Sequence, residues 1–372
     1  MRRRVSDLCG PAPGRHRGRG MVLALLAGVG GLAACQLIAG IDDRKVYVPD
    51  VGTPDTGGEA AVDPCQQPDV PPPPSSLTSS GSDSVVITAA LSRIMLGSTD
   101  GGPYYGFNLD KTCTCPQAES CTHSGSQQTC DDEGGIDNYA RHIFEETNLT
   151  SESNLNNAVQ TGLSGALIKI SDYNGKADDA VVTVTVYGSL GYESYPAAPK
   201  WDGTDRWTVD PGSASGPYFT NNAYVVGSKL VASLNFPIIV GSAYTNPVTI
   251  ELVSGRIVAD LQMNGTSLVK MTGLLGGRWD PARFLPSLQH VPDPTLDGGW
   301  LCGTDTTYQF VKAVICANTD INADPQFDNQ GGQCNAVSMG LGFEASPAVL
   351  GNVGPTVDAG APCGATWTDK CN

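Results

Sequence analysis

The stretch from residue 247 to residue 274 constrains this chain more than any other, because its side chains alternate with period two almost without a break. Val248, Ile250 and Leu252 fall on one side, and Thr249 and Glu251 on the other. After Ser254-Gly255, the residues Ile257, Ala259, Leu261 and Met263 share a face opposite Asp260 and Gln262. Successive strand side chains point to opposite faces, so the pattern describes strands with one buried and one wet surface. Asn264-Gly265 tolerates positive φ at both positions, the strongest short hairpin signal, and Val269 and Met271 follow it. A three-stranded antiparallel meander is expected. Val181 to Tyr187, in which valines alternate with threonines, repeats the pattern.

Further strands are expected at 85–90, 104–109, 165–171, 223–234, 236–240 and 336–344. Asp280-Pro281 opens a helix, with a capping residue before the proline favoured at the first helical position. A second helix spans 305–317, where Tyr308, Val311, Val314 and Ile315 make one apolar face, and a third lies near 137–148. With 45 glycines and 26 prolines, strands and turns fit better than a helical bundle. The expected fold is mainly β, built of sandwich-like antiparallel sheets with two or three packed helices, as one domain over 85–345. A net charge of −16 excludes nucleic acid as a partner, since such binding needs basic surface.

The N-terminus encodes an address. Six arginines and one aspartate precede an uncharged run from Met21 to Ala34. A helix needs about 20 apolar residues to cross a bilayer, so this shorter, Gly-rich run reads as the core of a secretory signal. It ends Leu32-Ala33-Ala34-Cys35, which resembles the lipobox of bacterial lipoproteins. The resemblance implies cleavage after residue 34 and acylation of Cys35, and Gln36 at the next position points to the outer membrane. Loss of residues 1–34 leaves a net charge of −21. Such a chain repels anionic headgroups and hangs from its lipid rather than lying on the bilayer. Residues 35–84, with Pro71-Pro72-Pro73-Pro74 and a Ser/Gly-rich stretch after it, read as an extended tether. The Gly/Pro/Ala-rich segment 346–372 reads as a loose arm closed by a local Cys363–Cys371 disulfide.

Cys9 leaves with the signal and Cys35 takes lipid. The remaining ten are Cys65, Cys113, Cys115, Cys121, Cys130, Cys302, Cys316, Cys334, Cys363 and Cys371. An even number in an exported chain indicates structural disulfides. The C-x-C-x5-C-x8-C spacing of 113–130 fits zinc poorly.

Only His123, His142 and His290 remain beyond residue 34, and no nucleophile-elbow, zincin, P-loop or dinucleotide motif is present. No catalytic residue is assigned, although a carboxylate pair for hydrolysis leaves no mark in sequence. Calcium is the one candidate cofactor. Asp320, Asn322, Asp324 and Asp328 alternate oxygen ligands as calcium loops do, and Asp131-Asp132-Glu133 with Asp137 forms a second acidic group. Caps of turns are the plainer reading of both. Between 187 and 218, Tyr192, Tyr195, Trp201 and Trp207 are interleaved with Asp202 and Asp205. Flat rings beside carboxylates suit glycan binding, and burial of the rings against a sheet edge is the competing reading.

The segments Cys35-Gln36-Leu37-Ile38-Ala39-Gly40, Gly106-Phe107-Asn108-Leu109-Asp110, Cys130-Asp131 and Cys334-Asn335-Ala336-Val337-Ser338 together resemble uncharacterised secreted lipoproteins of the myxobacterial type. That resemblance implies the cell envelope and assigns no activity. The expectation is a lipid-anchored, non-catalytic ligand-binding module for which glycan is one candidate ligand. An exported carboxylate-dependent hydrolase and an envelope scaffold are the alternatives, with another envelope protein as the scaffold's partner.

Overall fold

The computed structural model describes residues 70–74, 83–97, 103–115, 119–123, 130–147, 151–240, 248–291, 293, 299–355, 363–364 and 367–371. The expected signal, Cys35 and the tether up to residue 69 lie outside these. The chain divides into two units. Of the smaller, made of residues 1–56 and 293–299, only Asp293 and Gly299 are described, and the Asp293 N–H donates to the Gly299 carbonyl at 2.9 Å. Everything below concerns the larger unit, 57–292 and 300–372.

Among the described residues ten strands form one sheet: β1 (Val85–Met95), β2 (Gly165–Tyr173), β3 (Asp179–Tyr192), β4 (Arg206–Val209), β5 (Phe219–Val226), β6 (Lys229–Val240), β7 (Val248–Asn264), β8 (Ser267–Trp279), β9 (Val337–Pro347) and β10 (Val349–Val353). They run in the order β10-β4-β3-β2-β1-β9-β8-β7-β6-β5, and β5 also pairs with β3. That last pairing, from Asp179↔Val225 to Thr185↔Phe219, closes eight antiparallel strands into a barrel rather than the expected sandwich. Alternation along each strand is the same in both architectures, so the distinction rests on one non-local ladder that periodicity does not encode. Beyond Thr185, β3 pairs instead with β4, at Ser189↔Val209 and Tyr192↔Trp207, and β10 adds to β4 in parallel.

The expected meander is a hairpin of two longer strands. Ser254-Gly255 makes no turn. It is a bulge in β7, where the register with β8 shifts between Val253 and Arg256, and β6 carries a matching shift between Leu234 and Phe236. The Asn235 side chain accepts from the Ser254 N–H at 2.9 Å, and Ser254 adopts φ +49°. A Cβ at Gly255 would lie 2.3 Å from the Phe236 ring, so only glycine fits the bulge. The expected strand 223–234 is broken by Gly227-Ser228, both at positive φ, into β5 and β6. Segment 104–109 forms no strand and makes only a bridge from Phe107 to Asp137. It crosses β9 at Gly340, where a Cβ would sit 2.3 Å from the Tyr105 carbonyl oxygen.

Inward residues such as Ile257, Ala259 and Leu261 of β7, Met271 and Leu275 of β8, and Met339, Leu341 and Phe343 of β9 make the main core. Among the described residues five α-helices accompany the sheet: α1 (Ala140–Thr147), α2 (Glu152–Gln160), α3 (Pro211–Ala214), α4 (Pro281–Phe284) and α5 (Thr306–Ala317). As expected, Asp280 caps the helix at Pro281, its carboxylate accepting from Ala282 N–H at 2.8 Å, but α4 passes after one turn into a 3-10 helix, Leu285–His290. Phe144 of α1, Phe284 of α4, and Tyr308 and Ile315 of α5 join the barrel core.

Four disulfides join Cys115–Cys130, Cys121–Cys334, Cys302–Cys363 and Cys316–Cys371, and Cys113 is disulfide-bonded as well. Cys363 and Cys371 therefore do not pair with each other. They staple the C-terminal segment to the ends of α5, where Lys312 Nζ meets Asp369 at 2.6 Å and Trp367 stands edge-on to Tyr308. Segment 346–372 thus starts in the sheet, as the end of β9 and β10, and later docks on a helix.

Candidate functional site

The barrel ladder is incomplete at one end. Strand β1 pairs with β2 only as far as Ala90↔Leu167, although it continues beside β9 to Met95. Strand β6 pairs with β5 only from Lys229 to Val231, although it continues beside β7 to Val240. The free edges of β1 and β6 therefore leave a window, and Pro237, with no N–H to offer a ladder, stands in the free half of β6.

Helix α2 serves the edge that β2 leaves bare. Ser151 caps it, accepting from Asn154 N–H at 3.2 Å. Glu152, Asn156 and Gln160 then recur every four residues. Four helical residues rise about 6 Å and two strand residues about 6.6 Å, so this stripe keeps step with alternate residues of β1. Leu96 N–H donates to Glu152 Oε2 at 2.8 Å, and Ile94 N–H donates to Asn156 Oδ1 at 2.8 Å. Asn156 Nδ2 donates back to the Ile94 carbonyl at 2.7 Å, and Gln160 Nε2 reaches the Ser92 carbonyl at 3.5 Å. Side chains thus satisfy backbone groups that a neighbouring strand would otherwise pair.

Leu155 and Val159 of α2 face the opposite way, into a cavity of about 40 Å³. Its walls come from β1 (Leu91, Ile94), α1 (Phe144), β2 (Ala166, Ile168), β3 (Val186), β6 (Phe236, Pro237, Ile238), β7 (Ile257), β8 (Leu275) and β9 (Met339, Leu341). Ser164 is the one side chain among them with a polar group. A water needs about 10–15 Å³ and two to four polar partners. This space has the room but lacks the partners, so it suits hydrocarbon.

The aromatic segment is built differently from a sugar platform. Trp207 is fully buried, in a second core with Ala90, Leu167 and Val209. Trp201 packs on Trp207 with ring centroids 5.4 Å apart, and Tyr192 lies 6.1 Å from Trp207. Asp205 is buried and accepts from Lys200 and Trp201 N–H at 3.1 and 2.6 Å. Asp202 is exposed and holds Thr204 through its N–H and hydroxyl, bonds that lower its pKa. Tyr195 is exposed. Trp201 and Trp207 therefore do not form a pair of open faces: β4 and β10 cover the outer side of β1 and β2, and Trp207 fills the space. Trp207→Ala is expected to cost about 3–5 kcal/mol, as emptying a core aromatic site does, measured by urea denaturation.

The calcium-like loop is likewise committed elsewhere. Asp320 accepts from Ser338 N–H at 2.7 Å and from its hydroxyl. Asn322 donates to the Phe327 carbonyl at 3.1 Å, and Asp324 caps the 3-10 turn 325–327 through Gln326 N–H at 2.9 Å. Asp328 binds both terminal nitrogens of Arg278. No group of three or more acidic, histidine or cysteine side chains among the described residues is arranged to hold a metal.

The two acidic segments nevertheless converge, together with Asp110. Asp137, fully buried, accepts from the N–H groups of Leu109 and Asp110, and Asp131 accepts from Thr114 N–H at 2.7 Å. Burial raises Asp131 to about 6 and Asp320 to about 7. Asp137 stands well above the usual carboxylate range because of burial and the charges of Asp110, Asp131 and Asp320. Asp132 is also raised to about 6 by burial, although Arg141 pairs with it and opposes the shift. The cluster braces loops against β9, with Asp137 and Asp320 buried and Asp131 and Asp132 half-buried. His123, His142 and His290 fall on three different segments.

Sequence reading missed α2 altogether, and with it the cavity. The available signal was Ser151 in capping position before Leu155 and Val159 at helical spacing. No helix among the described residues is long and apolar enough to cross a membrane. No family model matches the chain, and neither a curated protein nor a solved structure shows significant similarity to it.

Proposed function

We propose that this is a lipid-anchored protein of the bacterial cell envelope whose barrel binds a small apolar ligand without transforming it. The observation that carries the reading is the apolar cavity behind α2, walled by seven strands and two helices with one polar side chain among its lining. Eight-stranded barrels either fill their interior with side chains or keep room for one small ligand. Three features support the envelope address: the signal-like N-terminus, the lipobox at Cys35 and the disulfide bracing, which belongs to oxidising compartments. Acyl groups at Cys35 would hold the chain at the membrane, most consistently the outer one, with the tether between lipid and barrel.

The test is direct binding. The full chain with Cys35→Ser, which removes the acylation site, is titrated with cis-parinaric acid and followed by fluorescence. Saturable one-site binding is expected. Ala166→Phe, which fills the cavity, and Leu155→Trp, which fills it from the half-buried lid side, are each expected to weaken binding about tenfold or more, about 1.4 kcal/mol. Absence of saturable binding, or unchanged affinity in both variants with circular dichroism intact, removes the proposal.

A further inference from the structure

Resting on the cavity reading above, we propose that α2 is a gate that swings off the edge of β1 to admit the hydrocarbon chain of a single-chain amphiphile, whose headgroup stays outside. A cavity of about 40 Å³ is too small for such a chain, so some wall must move. Most walls are continuous backbone ladders: β6–β7, β7–β8 and β8–β9 are paired over nearly their full lengths, and β9 holds β1 to Met95. The seam between α2 and β1 is made instead by three side chains, Glu152, Asn156 and Gln160. Water can replace those bonds when the helix lifts, whereas an opened strand ladder exposes apolar surface as well. Val159 is the single fully buried side chain of α2, so little apolar contact resists the movement.

A pivot is present at the C-terminal end of the helix. Gly162 has φ +76°, and a Cβ there would lie 2.7 Å from Tyr192 Cβ. Its carbonyl accepts from Tyr192 N–H at 2.8 Å, which pins this point to β3 while the N-terminal end of α2 is held by Glu152 and Asn156. The apolar lining selects the chain. With Ser164 as its one polar side chain, the cavity offers no charged partner for a carboxylate or phosphate.

Two measurements decide it. In the wild-type protein, NMR-detected amide exchange at Ile94 and Leu96 is expected to be about 100-fold faster than at the ladder-paired Leu275 and Phe343, and to slow when the chain is bound. In stopped-flow with cis-parinaric acid, Asn156→Ala is expected to speed both association and dissociation about tenfold, with Kd changed far less. Glu152→Ala makes the same test should Asn156→Ala fail to fold. Binding that is lost in Ala166→Phe but keeps wild-type rates in the seam variants, with Ile94 and Leu96 as protected as the ladder, overturns the gate and leaves the cavity reading standing. Fast exchange at those amides without any binding of the chain overturns both the ligand assignment here and the cavity reading.

Discussion

Arg278→Ala is expected to lower the unfolding free energy by roughly 3–5 kcal/mol, the cost of stranding a buried charge by removing its partner. The side chain is 1% exposed and sits on β8. One terminal nitrogen donates to the Asn322 carbonyl and to Asp328 at 2.5 and 2.9 Å, and the other to the Leu109 carbonyl and to Asp328 at 2.7 and 2.5 Å. A single guanidinium thus ties the barrel wall to the 103–115 and 319–338 segments. Removing it takes the arginine donors from two carbonyls and from the Asp328 carboxylate, which keeps only a long bond from Asn322 at 3.5 Å, beside Asp110, on which Arg278 exerts its attraction. Lysine is not an adequate substitute, because one ammonium cannot reproduce the planar fork. Urea denaturation measures the loss, and Arg278→Ala combined with Asp328→Asn should recover part of it. A loss below about 1 kcal/mol would show that the pair is no more than a surface-type contact.

The second large effect is a fall in stability as pH rises from about 4 to about 8. The folded pKa values of Asp131, Asp137 and Asp320 lie above the usual carboxylate value, by direction for Asp137 and at about 6 and about 7 for the other two. The folded state therefore binds more protons than the unfolded chain across that window, so their contribution is greatest below pH 4 and is lost through pH 6 to 7. The melting temperature is therefore expected to fall as pH rises through that window. Asp137→Asn separates this from general repulsion in an acidic chain. An amide keeps the oxygen that accepts from Leu109 and Asp110 and needs no proton, so it should raise the melting temperature at pH 8 and change it little at pH 5. A melting temperature that climbs with pH in the wild-type protein would refute the account.

The strands were legible because one face of each is buried, and burial writes itself as alternation. Val181 to Tyr187, 248–263 and all of 336–344 but its first residue lie in observed strands. Closure was not legible, since β3 meets β5 through the same kind of alternating residues that a sandwich would use. Ser254-Gly255 has the composition of a turn, and only the partner Asn235 turns it into a bulge. Helix α2 was hidden because its working face is polar. Glu152, Asn156 and Gln160 look like solvated residues until β1 is beside them. Trp207 and Asp205 were visible as residue types suited to sugars, yet their burial depends on β10, which follows them in sequence by more than a hundred residues and crosses at Leu350↔Trp207. The acidic segments near 131 and 320 were recognised separately, and their meeting required the fold.

The barrel's neighbours differ greatly in how far apart they are made. Strands β5 to β8 follow one another directly, so their hairpins need only short loops, whereas β1 must await β9 across most of the chain. Contacts of that separation form slowly, because loop closure precedes any reward. Assembly would therefore begin at the middle of the sequence and finish at the β1–β9 joint. Cys121–Cys334 spans 213 residues, against 15, 61 and 55 for the other three described bridges, so in the chain-entropy picture it restricts the unfolded chain most.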